Sequence, residues 1–138
     1  RSVSLRMRAT VGDDAGFVVS VITARDGKER IGGVALVDGE YHHIHRARIE
    51  TDWVGDDTYH QEMRITATAG DRDYEITGSV LNLIPLRNRR PDPDTGDLLV
   101  TRISEGMTEW TLDDGRTGYG LSEYLDQIID GSPVGIAE

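Results

Sequence analysis

Histidines are the residues whose spacing most directly suggests chemistry, because three of the four in the chain lie within four positions. They belong to residues 40–53, where apolar and polar residues alternate as in a β-strand with one buried face. The alternation places His43 and His45 on the more apolar side, together with Tyr41 and Trp53. We therefore expect two imidazoles in the interior, where a neutral ring can donate, accept or transfer a proton near pH 7.

Three roles stay open for His43 and His45: hydrogen bonding to a bound ligand, acid/base catalysis and metal binding. The pair, followed by Glu50 and His60, resembles the first histidine motif of the cupin family, which binds a divalent metal. Glu50 has the opposite strand parity to the pair, His60 lies on the polar parity of its own strand, and the second cupin motif is absent. We therefore expect no specifically bound metal and no cofactor, with a cupin-like metal-dependent enzyme as the alternative.

Glu123 is the carboxyl group for which the sequence best supports an interior position. It shares strand parity with Tyr119, Leu121 and Leu125, whereas Glu109 has the opposite parity to its apolar neighbours. A carboxyl group in apolar surroundings resists ionisation and can act as a proton donor. The alternative is a glutamate at the rim of the fold that is hydrogen bonded to an arginine or to a tyrosine hydroxyl.

Arg87, Arg89 and Arg90 precede a segment rich in proline and aspartate. Arginine can bind a carboxylate or a phosphate through two parallel hydrogen bonds. The nearby aspartates can neutralise these charges, however, and exposed ion pairs contribute little. Because proline cannot continue a central strand, we interpret residues 85–97, which contain three prolines, as a solvated surface loop.

Turn signals recur along the chain and define the elements that must position these residues. Asp-Gly pairs are typical of tight hairpin turns, because glycine has no side chain to clash and aspartate tolerates positive φ angles. The intervening segments are rich in valine, isoleucine, threonine and tyrosine, and several alternate with period two. Seven turns separate eight strands; they lie at residues 12–14, 26–27, 38–39, 55–57, 70–71, 87–97 and 113–115.

The spacing of these turns favours a barrel over a sandwich. Many segments have ten or more residues, whereas sandwich strands usually have about 5–6. We predict an all-β fold, an eight-stranded antiparallel up-and-down barrel of lipocalin-like form, whose interior holds side chains or one small ligand. Residues 122–130 are compatible with a short C-terminal helix or with a continuing strand. Gly78 and Gly106 lie inside strand-like segments, where they indicate bulges or bends.

Length and charge limit the number of domains and the class of partner. The 138 residues are 37% hydrophobic and 29% charged, which is typical of one globular domain with one core. The net charge of −10 disfavours binding to nucleic acid or to an anionic membrane, and no apolar run approaches the roughly 18 residues of a membrane span. We therefore expect a soluble domain and assign it to the cytoplasm. The chain begins with Arg1, which favours a processed form or a fragment of a larger protein.

The C-terminal run SEGMTEWTLDDGRTGYGLSEYL, residues 104–125, resembles the end of the bacterial carotenoid 1,2-hydratase-like family, also described as hydroxyneurosporene synthase-like. The segment YEITGSV at residues 74–80 and the following pair Pro85-Leu86 are similar to the same family. The resemblance implies the C-terminal half of a protein with two lipocalin-like barrels. It also implies an apolar terpenoid or polyketide-like ligand and, as in relatives, hydration, isomerisation or cyclisation.

These observations define three hypotheses of different classes. The first is a barrel that binds a small apolar molecule in a cavity lined by Tyr41, Trp53, Tyr74 and Tyr119. The second is a cofactor-independent hydratase, isomerase or cyclase in which the histidine pair moves a proton and Glu123 acts as the acid. The third is a structural domain that packs against a sister barrel or forms a homodimer.

Overall fold

The computed structural model describes residues 4–56 and 58–136 as one antiparallel β-sheet of nine strands. The strands are β1 (Ser4–Val11), β2 (Ala15–Thr23), β3 (Glu29–Val37), β4 (Glu40–Val54), β5 (Tyr59–Ala69), β6 (Arg72–Pro91), β7 (Leu98–Leu112), β8 (Thr117–Ile129) and β9 (Ser132–Val134). Consecutive strands are hydrogen bonded to one another, and β1 also pairs with β8, which closes the first eight strands into a barrel. This confirms the predicted eight-stranded up-and-down barrel.

The C-terminal segment is a strand rather than a helix. The sequence is compatible with a helix or a strand over residues 122–130, and the structure shows a strand, because β8 continues to Ile129. A turn with positive φ angles at Asp130 (49°) and Gly131 (75°) then leads into β9, which pairs with the end of β8. This ninth strand was not predicted, although its Asp-Gly pair is the same signal as the one at residues 38–39. Nothing in the described part of the chain forms a helix of the length and apolar character needed to cross a membrane.

Large side chains fill much of the barrel interior. Trp110, Phe17, Met63 and Ile65 are each exposed by 1% or less. Gly78 makes room for the indole of Trp110, because a Cβ atom at this position would lie 2.4 Å from the ring. The pairing of β6 with both neighbours is continuous at Gly78, so of the predicted alternatives, a bulge or a bend, the bulge is absent there. The glycine is instead required by close packing against a side chain of the next strand.

Three β-bulges change which side chains face the interior. In the pairing of β4 with β5, the register shifts between Ile44 and Arg46, which leaves His45 as an extra residue. A second shift leaves Gln61 as an extra residue on β5, and a third leaves Leu81 extra on β6. Because the side chains of a strand alternate, each extra residue reverses the face of the residues on one side of it.

The barrel opens at the point where β5 and β6 diverge. In the described residues, β5 pairs with β6 as far as Glu62 opposite Ser79, and β6 continues to Pro91 paired with β7 alone. The predicted surface loop over residues 85–97 is therefore wrong for residues 85–91, which are strand; the connection comprises residues 92–97. Proline is tolerated in this part of β6 because an edge strand has a row of backbone groups outside the ladder.

The connection over residues 92–97 is tied to the turn between β2 and β3. The buried carboxylate of Asp92 accepts hydrogen bonds from the guanidinium of Arg25 and from the backbone N–H groups of Asp94 and Thr95, the latter two at 2.9 and 3.0 Å. Arg25 also donates to the carboxylate of Asp94 at 2.6 Å. The hydrogen bond from Arg25 is the main reason why the pKa of Asp92 is well below its usual range. These contacts hold the end of the β6–β7 hairpin in place.

Candidate functional site

The first half of β4 points its aromatic residues away from the interior. Tyr41 is 58% exposed, and His43 and His45 are exposed as well. The ring of Tyr41 packs edge-on against that of His43, with 5.3 Å between the centroids. The prediction that these three side chains face the interior is wrong. His45 is the extra residue of a bulge, so the alternation of residues 46–53 does not extend back across it.

β8 presents its larger apolar residues to the outside. Tyr119 is 59% exposed and Glu123 is half-buried, whereas Ser122 and Tyr124 are buried on the inner face. Trp110 of β7 fills the barrel interior beside β8. Small residues are therefore sufficient at several inward-facing positions of β8. The predicted interior positions of Tyr119 and Glu123 are therefore wrong, because the more apolar parity of this strand is the outer one.

Two of the predicted ligand-binding aromatics do face the interior. Tyr74 is buried and packs edge-on against Phe17, with 5.3 Å between ring centroids. Trp53 is half-buried against the core and packs edge-on against Tyr124, with 4.8 Å between centroids. Both orientations are confirmed. Trp53 follows the extra residue His45 on β4, and Tyr74 precedes the extra residue Leu81 on β6, so each keeps the face of the apolar residues nearest to it.

The buried histidine of the barrel is His60, which strand alternation had placed on the polar side of β5. His60 is 1% exposed. The bulge at Gln61 reverses the face of the residues that precede it, so His60 turns inward while Glu62 remains exposed. Glutamine is not one of the residue types that mark a bulge, so the sequence offers no signal for this change of face.

A chain of hydrogen bonds determines the tautomer of His60. The hydroxyl of Thr108 donates to the carbonyl oxygen of Gly106 at 3.2 Å, so its oxygen accepts from the hydroxyl of Ser122 at 2.7 Å. The hydroxyl of Ser122 has then used its one hydrogen, and its oxygen accepts from Nε2 of His60 at 2.8 Å. The ring therefore carries its proton on Nε2 and has a bare lone pair on Nδ1.

The second ring nitrogen, Nδ1 of His60, is buried without a hydrogen-bond partner among the described residues. Burial lowers the pKa of His60 from 6.5 to about 4, against a smaller opposing effect of a hydrogen bond with the backbone of Ser122. The ring is therefore neutral at pH 7. A buried acceptor with no partner costs about 1–3 kcal/mol.

A glycine and an aromatic side chain pack around His60. A Cβ atom at Gly106 would lie 3.0 Å from Oγ of Ser122 and 3.1 Å from Nε2 of His60, so glycine leaves room for their hydrogen bond. Strand pairing is continuous at Gly106, so of the predicted alternatives, a bulge or a bend, the bulge is absent there too. The ring of Tyr124 packs on His60 with 4.5 Å between centroids, and its hydroxyl is hydrogen bonded to that of Thr51.

His60 lies at a cleft between the end of β5 and the diverging part of β6. The cleft has a volume of about 450 Å³. Its other lining residues, most of them apolar, are Val54, Tyr59, Gln61, Val80, Leu81, Asn82, Leu83 and Pro85. Apolar walls around a few polar groups are typical of small-molecule binding sites.

A second cleft, of about 490 Å³, lies at the opposite end of the barrel near the turns that follow β3 and β5. Asp38, Glu40, His42 and Asp71 are among its lining residues, and Nε2 of His42 is 3.4 Å from a carboxylate oxygen of Glu40. Within residues 4–56 and 58–136, no group of three histidine, aspartate or glutamate side chains is arranged to hold a metal ion. The cupin-like alternative therefore lacks a ligand set in that part of the chain.

The fold and the cleft define the class of protein: a closed antiparallel β-barrel with a cleft beside a buried, neutral histidine. The family model described as Domain of unknown function (DUF7064) matches residues 6–128, and the chain belongs to this family. No curated protein and no solved structure matches the chain. These comparisons do not test the resemblance to the carotenoid 1,2-hydratase-like family, which stays a prediction.

Proposed function

We propose that the barrel binds one small, mainly apolar molecule in the cleft between β5 and β6. In this proposal a hydroxyl or N–H group of the molecule donates a hydrogen bond to Nδ1 of His60. The observation that carries the proposal is the buried Nδ1, which lacks a partner among the described residues, in a side chain that lines the cleft. The cleft volume of about 450 Å³ lies within the roughly 300–1,000 Å³ that is usual for such sites.

The chemistry of the cleft favours an apolar alcohol over a hydrocarbon of the same shape. Val80, Leu83 and Pro85 supply apolar wall, and His60 supplies a neutral acceptor. A ligand without a donor leaves Nδ1 unsatisfied, whereas an alcohol satisfies it. Terpenoid and polyketide-like molecules, which the family resemblance implies, combine an apolar body with such a donor.

Catalysis is the second candidate function. Hydration or isomerisation would use His60 as a base, and the observation that favours it is the orientation of the ring by Ser122. A pKa of about 4 makes His60 a weak base at neutral pH, since an effective general base has a pKa near the working pH. His43, His45 and Glu123 line neither of the two clefts, so the catalytic roles predicted for them have no support from the geometry. Binding is therefore the better-supported function.

The proposal is tested by comparing farnesol with farnesene, which share an apolar body and differ in the hydroxyl. We expect the wild-type protein to bind farnesol about fivefold more tightly, since one neutral hydrogen bond contributes about 1 kcal/mol. His60→Phe keeps an aromatic ring at the site but removes the acceptor, so it should abolish this preference. Tryptophan fluorescence and native mass spectrometry measure the two affinities.

The matched control is His43→Phe, which makes the same change at an exposed histidine of β4. It should leave the preference for farnesol unchanged, and thermal unfolding shows whether both variants fold. The proposal is wrong if neither ligand binds the wild-type protein. It is also wrong if the two substitutions reduce farnesol binding equally.

A further inference from the structure

Positive charge without a counterion is concentrated on the edge of β6. The side chains of Arg87, Arg89 and Arg90 are exposed and form no ion pair or hydrogen bond with any residue that the structure describes. The chain has 25 acidic and only 15 basic residues. In such an acidic protein, adjacent arginines without acidic partners indicate an anion that comes from outside the described chain.

The neighbouring aspartates do not neutralise these arginines, contrary to the prediction from the sequence. Asp92 and Asp94 both bind Arg25 instead, across the gap between the 92–97 connection and the turn after β2. Residues 87–91 are strand rather than loop, which keeps the arginine side chains at regular positions along an edge. Their placement is therefore that of a structured surface.

Arg87 and Arg89 lie on the face of β6 that continues from the cleft. The register of β6 with β7 has no shift after its single bulge, so every second residue from Leu83 to Arg89 is on one face. Leu83 and Pro85 line the cleft, and Arg87 follows about 6.6 Å further along the strand. Arg90 falls on the opposite face.

The remaining charged groups on this face are already paired with each other. Arg102 of β7 lies directly opposite Arg87 and binds Asp126 of β8 at 2.7 Å. The carboxylate of Asp126 is buried, so this pair is part of the packed structure. The charges of Arg87 and Arg89 remain available to a ligand.

We infer that the molecule bound in the cleft carries an acidic group in addition to the donor for His60, and is therefore an amphipathic acid. Its apolar body lies against Leu83 and Pro85, and its carboxylate or phosphate binds the guanidinium groups of Arg87 and Arg89. This inference rests on the proposed binding in the cleft and specifies the class of ligand. Anionic lipid surfaces offer the same headgroup chemistry, but the net charge of −10 opposes their approach and favours a single dissolved molecule.

The test compares dodecanoate with methyl dodecanoate, which has the same apolar chain and no charge. By isothermal titration calorimetry at monomeric ligand concentrations, we expect the wild-type protein to bind dodecanoate about tenfold more tightly, because hydrogen bonds to charged groups are the stronger class. Arg87→Gln should remove most of this preference. Arg90→Gln makes the same change of charge on the opposite face of the same strand and should preserve it. Added salt should weaken the preference in the wild-type protein.

Each alternative result has a definite meaning. Equal affinity of the wild-type protein for acid and ester overturns the inference, and so do equal losses in Arg87→Gln and Arg90→Gln. Binding to phosphatidylserine vesicles without binding of monomeric dodecanoate also overturns it in favour of a membrane surface. If farnesol still binds in these cases, the proposed function stands. If neither farnesol nor dodecanoate binds, both proposals fail together.

Discussion

Of the two ring nitrogens of His60, Nε2 is hydrogen bonded and Nδ1 has no partner among the described residues. Ser122 accepts from Nε2, while burial keeps the ring neutral by lowering its pKa to about 4. His43 and His45 have the same side chain but are exposed to solvent on β4. The chemical character of a histidine in this protein is therefore set by its burial and its partner, and for this reason we assign the proposed hydrogen bond to His60.

Stability should depend on pH through His60. Its pKa is about 4 in the folded protein and 6.5 without burial, so the unfolded chain binds more protons between these values. This contribution to stability is complete above about pH 6.5 and is lost as the pH falls toward 4, by up to about 3 kcal/mol. Urea unfolding of the wild-type protein and His60→Phe from pH 7 to pH 4 measures the effect. We expect the wild-type protein to lose more stability than the variant, and parallel pH profiles would contradict the burial of a neutral ring.

For the strands, the features that depend on local sequence were predictable and those that depend on a neighbouring strand were not. Turn residues and alternation predicted the eight-stranded barrel, because both are properties of short stretches of chain. An extra residue such as His45 or Gln61 becomes a bulge only in relation to its partner strand. The outward face of β8 likewise depends on the volume of Trp110 in β7. The sequence therefore drew attention to the histidines of β4, whereas the histidine that the fold buries beside the cleft is His60 of β5.

The bulge at Gln61 should be what turns His60 inward. Deleting Gln61 removes the extra residue and should place His60 on the outer face, where its pKa returns toward 6.5. Gln61→Ala keeps the extra residue and should leave the pKa lowered. Histidine titration by NMR measures both values, and thermal unfolding establishes that the deletion variant folds. A folded deletion variant in which the pKa of His60 stays near 4 would show that the bulge does not control its face.

The barrel as a whole combines a filled interior with an open side. Trp110 and Phe17 occupy the interior, and the cleft beside His60 lies where β5 and β6 diverge. The sequence predicted a cavity in the barrel because long antiparallel strands commonly enclose one. It did not indicate that β6 would extend beyond β5, since prolines at this edge resemble those of a loop.

The separation of core from cleft gives a prediction for Gly78. Gly78→Ala places a Cβ atom 2.4 Å from the ring of Trp110 and should lower the free energy of unfolding by about 1–3 kcal/mol. Farnesol affinity should remain unchanged, because neither residue lines the cleft. Gly32→Ala is the control, since no atom lies within 4 Å of its added Cβ. Urea unfolding measures the stability of both variants. Equal stability of the two variants would contradict the close packing at Gly78, and loss of farnesol binding in Gly78→Ala would contradict the separation of the core from the cleft.

The most direct test of a ligand hydrogen bond to His60 is ¹⁵N NMR of its imidazole nitrogens at pH 7, with and without farnesol. In the free protein we expect a neutral ring with the proton on Nε2 and an unprotonated Nδ1. Adding farnesol should shift the resonance of Nδ1 toward that of a hydrogen-bonded acceptor and leave Nε2 nearly unchanged, while His43 and His45 show no response. A free protein with the proton on Nδ1, or saturating farnesol that leaves the resonances of His60 unmoved, would contradict the account.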